Sequence, residues 1–298
     1  MKKYLKYITP EFLLLCYRFR VLHGFFPRLI RPKTFSEKIA LRMRRPKLFY
    51  SLLSDKVAVR DYVSRHVGEE YLIPVFWEGK VLTEDVWNNL PDSFVLKANH
   101  ASGTNLIVRS KKDYSYDDVV QLTQKWLAMD FSKVNLEKHY KYIDRKLLAE
   151  ELLTTKSGQI PYDYKVHCFN TREGTRFYIQ VDYDRFVNDG DAHTRDFFDE
   201  EWNFVPFTLD FNNSDVRAEK PECLNEMLML SKKLCSDLAY SRIDWYIVDD
   251  RPLFGEITLT HGCSGETFNP YSYDELWGTL WDESYEHDND SFSRNKRC

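Results

Sequence analysis

The sequence lacks the glycine-rich fingerprints of two common nucleotide-binding folds. Neither G-x-G-x-x-G nor G-x-x-x-x-G-K-[ST] occurs in its 298 residues, of which only 11 are glycine. This absence argues against a Rossmann or P-loop nucleotide site, because those sites need glycine where the backbone approaches the phosphates. Any nucleotide site in this chain must therefore be built in another way.

Paired cysteine motifs and long apolar runs are missing too. The six cysteines form no C-x-x-C pair and no Cys/His spacing suited to zinc, which predicts free thiols in a reducing compartment. No signal peptide is recognised, and the longest apolar run near the N-terminus, residues 11–16, is too short to span a bilayer. We expect a cytoplasmic protein, and peripheral contact with the inner face of the membrane stays open as an alternative.

The net charge of the chain is small, but its basic residues are unevenly distributed. The net charge of −4 gives no general argument for nucleic-acid binding, so no nucleic-acid partner is expected. Residues 18–47, however, carry ten basic residues against Glu37 alone. Such a surface suits a membrane surface, an anionic glycan or an acidic partner, whereas a merely solvated helical face is the simpler interpretation.

The patterning predicts a globular α+β protein. The chain is 43% hydrophobic and 30% charged, and its length allows one large core or two to three lobes. Residues 1–50 are helical and basic in pattern, "SYDDVVQLTQKWLAMDF" and "PECLNEMLMLSKKLCSDLAY" are amphipathic helices, and "DYKVHCF" and "RFYIQVDYDRF" are paired strands. Hairpins rather than a regular βαβ series connect these elements.

The stretch "SRIDWYIVDDRPLFGEITLTHG" predicts a hairpin with an acid on each strand. A three-residue loop, Asp249 to Arg251, would place Asp244 directly opposite Glu256. A two-residue loop would instead place Gly255 opposite Asp244 and turn Glu256 to the other face, since side chains alternate along a strand. We favour the three-residue loop, because it gives the two acids a shared face.

Two carboxylates in that register form a like-charge pair about 5 Å apart, which destabilises a sheet. A divalent cation would offset the repulsion, and Mg²⁺ is typically held by one or two carboxylates together with substrate phosphates. The alternative is an exposed hairpin face with scattered acids.

Three lysines lie where a phosphate site would need them. Lys97 ends the strand "FVLK" and precedes "ANHASGTN", a loop of small residues whose backbone N–H groups can close over phosphates. Lys56 opens a helix, and Lys165 lies in the strand "YDYKVHCF". Each alone is weak support, because lysines at strand ends are usually just solvated.

As an ordered series, these features resemble the ATP-grasp superfamily. The closer resemblance is to the bacterial TupA-like ATP-grasp family of surface-polysaccharide and teichuronopeptide biosynthesis, and it covers about residues 30–280. The motifs that carry it are "PKTFSEKI", "LSDKVAVRDYV", "YLIPVFW", "FVLKANHASGTN", "LAEELL", "DYKVHCFN", "QVDYDRF", "FDEEWNFVPF" and "RIDWYIVDDRPLFGEITLTHGCSG".

The resemblance implies an ATP-grasp fold, in which two α+β lobes grip ATP. It implies a helical basic N-terminal segment over 1–54, a small lobe with a mobile lid over 55–149, and a large lobe with the Mg²⁺-binding hairpin over 150–298. The implied ATP contacts are, in chain order, Lys56, Lys97, His100, Ser102, Gly103, Thr104, Glu150, Glu151, Leu153 and Lys165. Within this set, residues 100–105 look like the lid and residues 150–153 look like the hinge that reads adenine and ribose.

The implied Mg²⁺ ligands are Asp244 and Glu256, with Thr258 at a position where the superfamily commonly has asparagine. Arg185, Arg195 and Arg242 are candidates for holding a carboxylate or the developing phosphoryl charge, because guanidinium binds such groups with two parallel hydrogen bonds. For Arg185 and Arg195, a surface ion pair is an equal alternative.

The implied activity is an ATP- and Mg²⁺-dependent carboxylate–amine ligase. It would join an amino acid or amine to a uronic acid or amino sugar of a surface glycan or its precursor. Two alternatives are a sugar-transferring enzyme, whose metal the carboxylate pair would hold, and a non-catalytic nucleotide-binding protein. Turnover of ATP without turnover of sugar nucleotides distinguishes the ligase from both.

Overall fold

The computed structural model of the protein describes residues 10–183 and 193–287, so the candidate Arg185 lies outside the described residues. Helices within these ranges are α1 Glu11–His23, α2 Phe35–Arg44, α3 Leu48–Ser54, α4 Ala58–His66, α5 Glu84–Asn89, α6 Tyr116–Ala128, α7 Phe131–Val134, α8 Leu224–Leu234, α9 Ser272–Leu280 and α10 Glu283–His287. The strands are β1 Val75–Gly79, β2 Phe94–Ala98, β3 Asn105–Val108, β4 Leu147–Glu150, β5 Asp163–Thr171, β6 Gly174–Tyr183, β7 Thr194–Phe198, β8 Thr208–Leu209, β9 Tyr240–Val248, β10 Arg251–Thr258 and β11 Phe268–Asn269.

Two antiparallel sheets form the framework of the molecule. The smaller has the order β1-β4-β2-β3 and the larger has the order β10-β9-β5-β6-β7, while β11 and β8 form a separate pair. Strands joined by hairpins and covered by separate helices define an α+β architecture. The α+β fold class predicted from the pattern is therefore confirmed.

The small sheet has a core of its own. Phe94 and Leu96 on β2 are fully buried and pack with Val119 and Trp126 of α6. Ser115 caps helix α6, because its hydroxyl accepts a hydrogen bond at 3.1 Å from the backbone N–H of Asp118, the third residue of the helix. The strands and α6 thus form one lobe around the first sheet.

The large sheet is covered differently on its two faces. One face is mainly apolar and packs against α8, α4 and α3, with Val166, Ile179 and Ile243 at its centre. The opposite face is apolar at one end only, where Phe169 and Tyr240 meet α2 and α9. Its other end carries the polar side chains of the candidate site.

The N-terminal basic segment contributes to the large lobe's core. Ile39 and Met43 of α2 are buried in the cluster that contains Trp277, and Arg42 is only 5% exposed. Helix α4 contributes Val59, Tyr62 and Val63 to the apolar cluster that covers the large sheet. Residues of α2 to α4 thus pack in the clusters of the large sheet, while the strands of the small sheet span 75–150, and the lobe boundaries at 54 and 149 stay a prediction.

Candidate active site

The turn of the acidic hairpin is tighter than predicted. Val248 pairs with Arg251, so the loop consists of Asp249 and Asp250, and both have left-handed backbone angles (φ 50° and 58°). Two successive positive φ values are the geometry of a type I′ turn, whose twist matches that of the strands it joins. The predicted three-residue loop is therefore wrong.

A β-bulge restores the predicted pairing of the two acids. The register shifts between Phe254 and Glu256, so Gly255 has no partner and Glu256 pairs with Asp244. A Cβ atom on Gly255 would lie 3.1 Å from the Asp244 carbonyl oxygen, closer than most Cβ contacts, which favours glycine there. The two carboxylates share a face because of the bulge and not because of the loop.

Arg242 lies between the two carboxylates. Its Nε donates to Asp244 Oδ1 at 2.7 Å and its Nη2 donates to Asp244 Oδ2 at 2.6 Å, the two-bond geometry of guanidinium with carboxylate. The same Nη2 lies 3.0 Å from Thr258 Oγ1 and 3.5 Å from Glu256 Oε1. The guanidinium thus offsets the repulsion of the acidic pair in this state of the protein.

Burial and neighbouring charges have opposite effects on the pKa values of Asp244 and Arg242. Burial raises the pKa of Asp244 to about 6, against the lowering effect of Arg242 and Lys165. Burial alone would lower the pKa of Arg242, but the adjoining Asp244 carboxylate outweighs it and raises that pKa. Asp244 is 7% exposed, whereas the Glu256 side chain is 35% exposed and lies beside Lys56. Glu256 is therefore the acid of the pair that an incoming ligand meets first.

Lys56 connects the hairpin to the loop after β2. Its ammonium lies 3.4 Å from Glu256 Oε2 and donates to the Ala101 carbonyl at 2.9 Å. Asp55 fixes the backbone beside it, because its Oδ1 accepts from the N–H of Val57 and from Asn99 Nδ2. Lys56 is thus held where the two lobes meet.

The loop predicted as a lid over 98–105 is anchored along most of its length. Asn99 Nδ2 donates to the Asp144 carbonyl and Asn99 Oδ1 accepts from the Lys146 N–H. Asn99, His100, Ala101 and Thr104 are buried, and burial together with Arg145 lowers the pKa of His100. Ser102, Gly103 and Asn105 are its exposed residues. The packing therefore leaves the tip of the loop, residues 102–103, and Asn105 at the start of β3 as its accessible part.

A cleft between the sheets adjoins these residues and holds about 420 Å³ of unfilled space. Lys97 projects into it and forms an ion pair with Glu150 at the end of β4. The cleft is lined mainly by apolar side chains, with the predicted hinge along one wall: Ile73, Val95, Lys97, Asn105, Ile107, Glu150, Glu151, Leu152, Leu153, Ile160, Pro161 and Tyr246. An apolar slot with a lysine at one end has the shape and chemistry for a planar base that carries phosphates.

Comparison with known proteins agrees with this geometry. The family model described as TupA-like ATPgrasp matches residues 37–281. The chain belongs to the TupA-like ATP-grasp family. The match spans both sheets and the cleft between them. None of the curated proteins matches the sequence.

Solved structures similar to this TupA-like ATP-grasp chain include ligases of D-alanine. The D-alanine–D-alanine ligase of Helicobacter pylori is 17% identical, with a TM-score of 0.43 over 80% of this chain and 61% of that chain. The Bacillus anthracis ligase complexed with ATP is 13% identical (TM-score 0.43; 81% and 68% covered). D-alanyl-alanine synthetase A of Vibrio cholerae is 9% identical (TM-score 0.43; 87% and 66% covered). The chain thus spans 61% to 68% of the length of these three ligases.

The remaining candidate lysine of this TupA-like ATP-grasp protein is enclosed. Lys165 is 3% exposed, and its ammonium lies 2.9 Å from Asp163 Oδ2 and 2.7 Å from Asp182 Oδ2. Burial opposes ionisation of Asp182, but Lys165, His193 and Arg195 hold the pKa of that carboxyl well below its usual range. A phosphate could contact Lys165 only if the Asp163 and Asp182 carboxylates moved away from its ammonium group.

Arg195 and Arg242 are connected through two residues to which the sequence assigned no catalytic role. Arg195 Nη1 lies 3.2 Å from Glu266 Oε2, and the same oxygen lies 2.7 Å from His261 Nε2. His261 Nδ1 in turn lies 2.6 Å from Arg242 Nη1. Burial alone would raise the pKa of Glu266, but His261 and Arg195 lower it to about 2. Glu266 is therefore an ionised bridge between the two arginines at neutral pH.

The turn at residues 262–264 places Glu266 in this bridge. Gly262, Cys263 and Ser264 all have left-handed backbone angles, and a Cβ on Gly262 would lie 2.7 Å from the Glu266 side chain. His23 of α1 fixes the turn, since its Nε2 lies 2.8 Å from the Ser264 carbonyl oxygen. Consecutive positive φ values at non-glycine residues are costly and persist only where surrounding contacts hold them.

The acidic hairpin carries the oxygen ligands that could hold Mg²⁺. Within residues 10–183 and 193–287, no cluster of three or more His, Cys, Asp or Glu is arranged to hold a metal ion. Mg²⁺ needs fewer protein ligands, because one or two carboxylates suffice when substrate phosphates complete its shell. Asp244, Glu256 and Thr258 offer such oxygens on one face, so the residues present fit the ion.

Within residues 10–183 and 193–287, no helix is long and apolar enough to cross a membrane.

Proposed function

We propose that this TupA-like ATP-grasp protein is an ATP-dependent ligase that joins a carboxylate to an amine of a cell-surface glycan or its precursor. The observation that carries the proposal is that the cleft between the two sheets adjoins the acidic hairpin. Lys97 and Tyr246 line the cleft, and Tyr246 lies two residues after Asp244 on β9. Lys56 contacts Glu256 of the Arg242–Asp244–Glu256 cluster. Cations and carboxylates together at the end of an apolar slot suit a nucleoside triphosphate better than a neutral ligand.

ATP would bind with its base against the hinge and its phosphates toward the hairpin. Glu150 to Leu153 line the cleft, and we expect backbone groups of this segment to contact the adenine edge. Lys97 lines the same cleft and Lys56 lies beside Glu256, so both ammonium groups would neutralise phosphate charge. Lys97 would exchange its contact with Glu150 for a phosphate oxygen.

The reaction proposed has two steps. An oxygen of the substrate carboxylate attacks the γ-phosphorus of ATP, the bond to the β-phosphate oxygen breaks, and ADP leaves with that electron pair. The resulting acyl-phosphate is attacked at its carbonyl carbon by a neutral amine, which forms the amide and expels phosphate, while the amine proton passes to solvent. The protein contributes mainly positioning and charge neutralisation, as in phosphoryl transfer generally.

Each cluster residue has a role in this scheme. Asp244 and Glu256, with Thr258 beside them, would hold Mg²⁺, which neutralises charge on the ATP phosphates when bound. Arg242 would then turn from Asp244 toward the transferred phosphoryl group, within reach of its present position. Arg195, buried at the same end of the sheet face, would hold a substrate carboxylate.

The substrate class follows from the family. The motifs of this chain resemble those of the TupA-like family of surface-polysaccharide biosynthesis. This resemblance favours a uronic acid or amino sugar as one substrate and an amino acid or amine as the other. Use of ATP would place the reaction on the cytoplasmic side of the membrane, with peripheral contact where such glycans are assembled. Phosphate release from ATP should be screened with amino acids crossed against uronic acids and amino sugars. ATP turnover dependent on one such pair supports the ligase, and sugar-nucleotide turnover would favour a transferase instead.

Removal of the Lys97 ammonium should weaken ATP binding. Lys97→Ala is expected to make the binding free energy of ATP less favourable by about 1–3 kcal/mol, the scale of a lost charged hydrogen bond. Calorimetric titration with a non-hydrolysable ATP analogue measures this. Lys80→Ala, an exposed lysine of the same lobe paired with Asp144, is the control. Equal affinity in Lys97→Ala and the wild type would remove Lys97 from the ATP site.

Neutralising the bridge at Glu266 should affect the acceptor more than ATP. Glu266→Gln keeps the side-chain shape but removes the charge that orients Arg195 and His261, so we expect the KM of the carboxylate substrate to rise about 10- to 100-fold. The ATP KM should change far less, because Lys56 and Lys97 are untouched. The matched control is Glu275→Gln, an exposed glutamate on α9. Equal rises in both KM values, accompanied by a lower Tm, would reduce Glu266 to a structural role.

A further inference from the structure

Two adjoining cavities lie on the large lobe where α2, α3 and α10 meet. They are separate from the cleft between the two sheets. They hold about 500 and about 1340 Å³ of unfilled space. Both are lined by Lys38, Trp281 and Glu283, so they form one continuous depression. We call this depression the basic groove.

The charges that line the basic groove are unbalanced. The acids among its described lining residues are Glu173, Asp282 and Glu283. Twice as many cations line it: Arg31, Lys38, Arg42, Arg45, Lys47 and Arg172. Eight residues line the cavity at the narrow end of the groove. Four of them are cations, and Glu283 is the acid among them. Like charges brought together in this way repel one another until an anion enters.

Two of the cations are built into the protein and are not mobile surface side chains. Arg42 is 5% exposed, and its guanidinium carbon lies 4.1 Å from the centre of the Trp281 ring. The Lys38 ammonium donates to the Trp281 carbonyl at 2.6 Å and its side chain is 11% exposed. Placing such charges away from water is costly, which makes a charged ligand at this end more favourable than at an open surface.

The groove ends at the strands that carry the candidate active site. Arg42 Nη1 donates to the carbonyl of Tyr240, the first residue of β9, at 2.7 Å, and to the carbonyl of Leu259 at 3.1 Å. Leu259 directly follows Thr258, and Tyr240 lies two residues before Arg242. A chain bound in the groove would therefore lie alongside the end of the acidic hairpin.

We propose that the basic groove binds consecutive carboxylate-bearing sugars of an acidic glycan acceptor. The cation excess lies in the narrow cavity, because three cations and three acids line the wide one. Arg31 and Arg172 extend the series of cations beyond the narrow cavity, which favours several linked anionic sugars over a single small anion. The identity of the glycan as acceptor rests on the proposed function, but the binding site does not, since it can be measured without ATP.

The test uses trigalacturonate as the anionic probe and maltotriose as its neutral counterpart, with binding followed by calorimetry on the full chain. The pocket variant combines Arg45→Glu and Lys47→Glu, which line the groove without being buried. The control variant combines Lys33→Glu and Arg44→Glu, which make the same charge change in the same segment outside the lining residues. We expect trigalacturonate alone to bind, with a Kd raised about tenfold or more in the pocket variant and much less in the control.

Three outcomes would overturn the proposal. Equal weakening in both variants would show diffuse attraction to the basic segment. Equal binding of maltotriose would remove the role of charge, and the absence of trigalacturonate binding at low ionic strength would remove the site. Binding that persists with ATP turnover absent for every acceptor would keep the groove and reject the ligase, so the two claims fail separately.

Discussion

Glu256→Gln is expected to lower acceptor-dependent ATP turnover by about 10²- to 10³-fold, the scale of removing one preorganised electrostatic group. The amide keeps the length and shape of the side chain, and the pairing with Asp244 across the bulge is made by the backbone. What is lost is the negative charge beside Lys56, at 3.4 Å. The fold should persist, because the side chain is 35% exposed and belongs to no apolar cluster.

The comparison is Asp250→Asn in the exposed turn of the same hairpin, which is also a carboxylate-to-amide change. Asparagine tolerates the left-handed angle at that position, so the turn should be kept. Steady-state turnover as a function of Mg²⁺ concentration, with Tm as the check on folding, separates the two variants. Normal turnover and normal Mg²⁺ dependence in Glu256→Gln would show that this acid does not take part.

Arg242→Lys should lower turnover by about 10³-fold while ATP binding stays within a few-fold of normal, because an arginine on a transferred phosphoryl group contributes on that scale. Lysine keeps the positive charge next to Asp244. It cannot keep both parallel hydrogen bonds, nor reach His261, Thr258 and Glu256 at once as the guanidinium does. The loss should therefore appear in kcat and not in the ATP Kd.

Arg251→Lys provides the matched change on the same hairpin, where the arginine is exposed and donates to the Glu70 carbonyl. Single-turnover kinetics with pre-bound ATP measure the chemical step directly. If Arg242→Lys lowers Tm but leaves the single-turnover rate near normal, Arg242 serves only to balance the buried charge of Asp244.

The acidic hairpin shows what alternation predicts and what it leaves undetermined. Periodicity alone predicted both strands, and the acids do share a face. The loop length was wrong because two successive aspartates adopt the positive φ values more often supplied by Asn-Gly or Asp-Gly. The error was cancelled by the bulge at Gly255, which depends on a close approach of two backbones that the sequence does not display.

The basic segment shows a second limit. Counting charges over 18–47 predicted a basic surface, and it did not distinguish Arg42, which is buried, from Arg44 and Arg45, which are exposed. The difference arises from partners about 200 residues away in the chain, the carbonyls of Tyr240 and Leu259. Local periodicity carries no information on such contacts.

The Glu266 bridge was missed for a related reason. Its motif "HGCSGE" was visible, but Glu266 reaches Arg195 and His261 only through three consecutive left-handed residues. Two of these are Cys263 and Ser264, which rarely adopt that conformation, so no propensity signals it. Residues whose role depends on strained backbone are found by structure and not by pattern.

The central claim, that the carboxylate is activated by ATP before the amine attacks, is tested most directly by oxygen transfer. The carboxyl substrate found in the phosphate-release screen should be labelled with ¹⁸O in both carboxyl oxygens, and the released phosphate analysed by mass spectrometry. An acyl-phosphate leaves one labelled oxygen in each phosphate, formed together with ADP and the amide. Unlabelled phosphate accompanying amide formation, or bound nucleotide with no turnover for any pair in the screen, would contradict the assignment as a carboxylate–amine ligase.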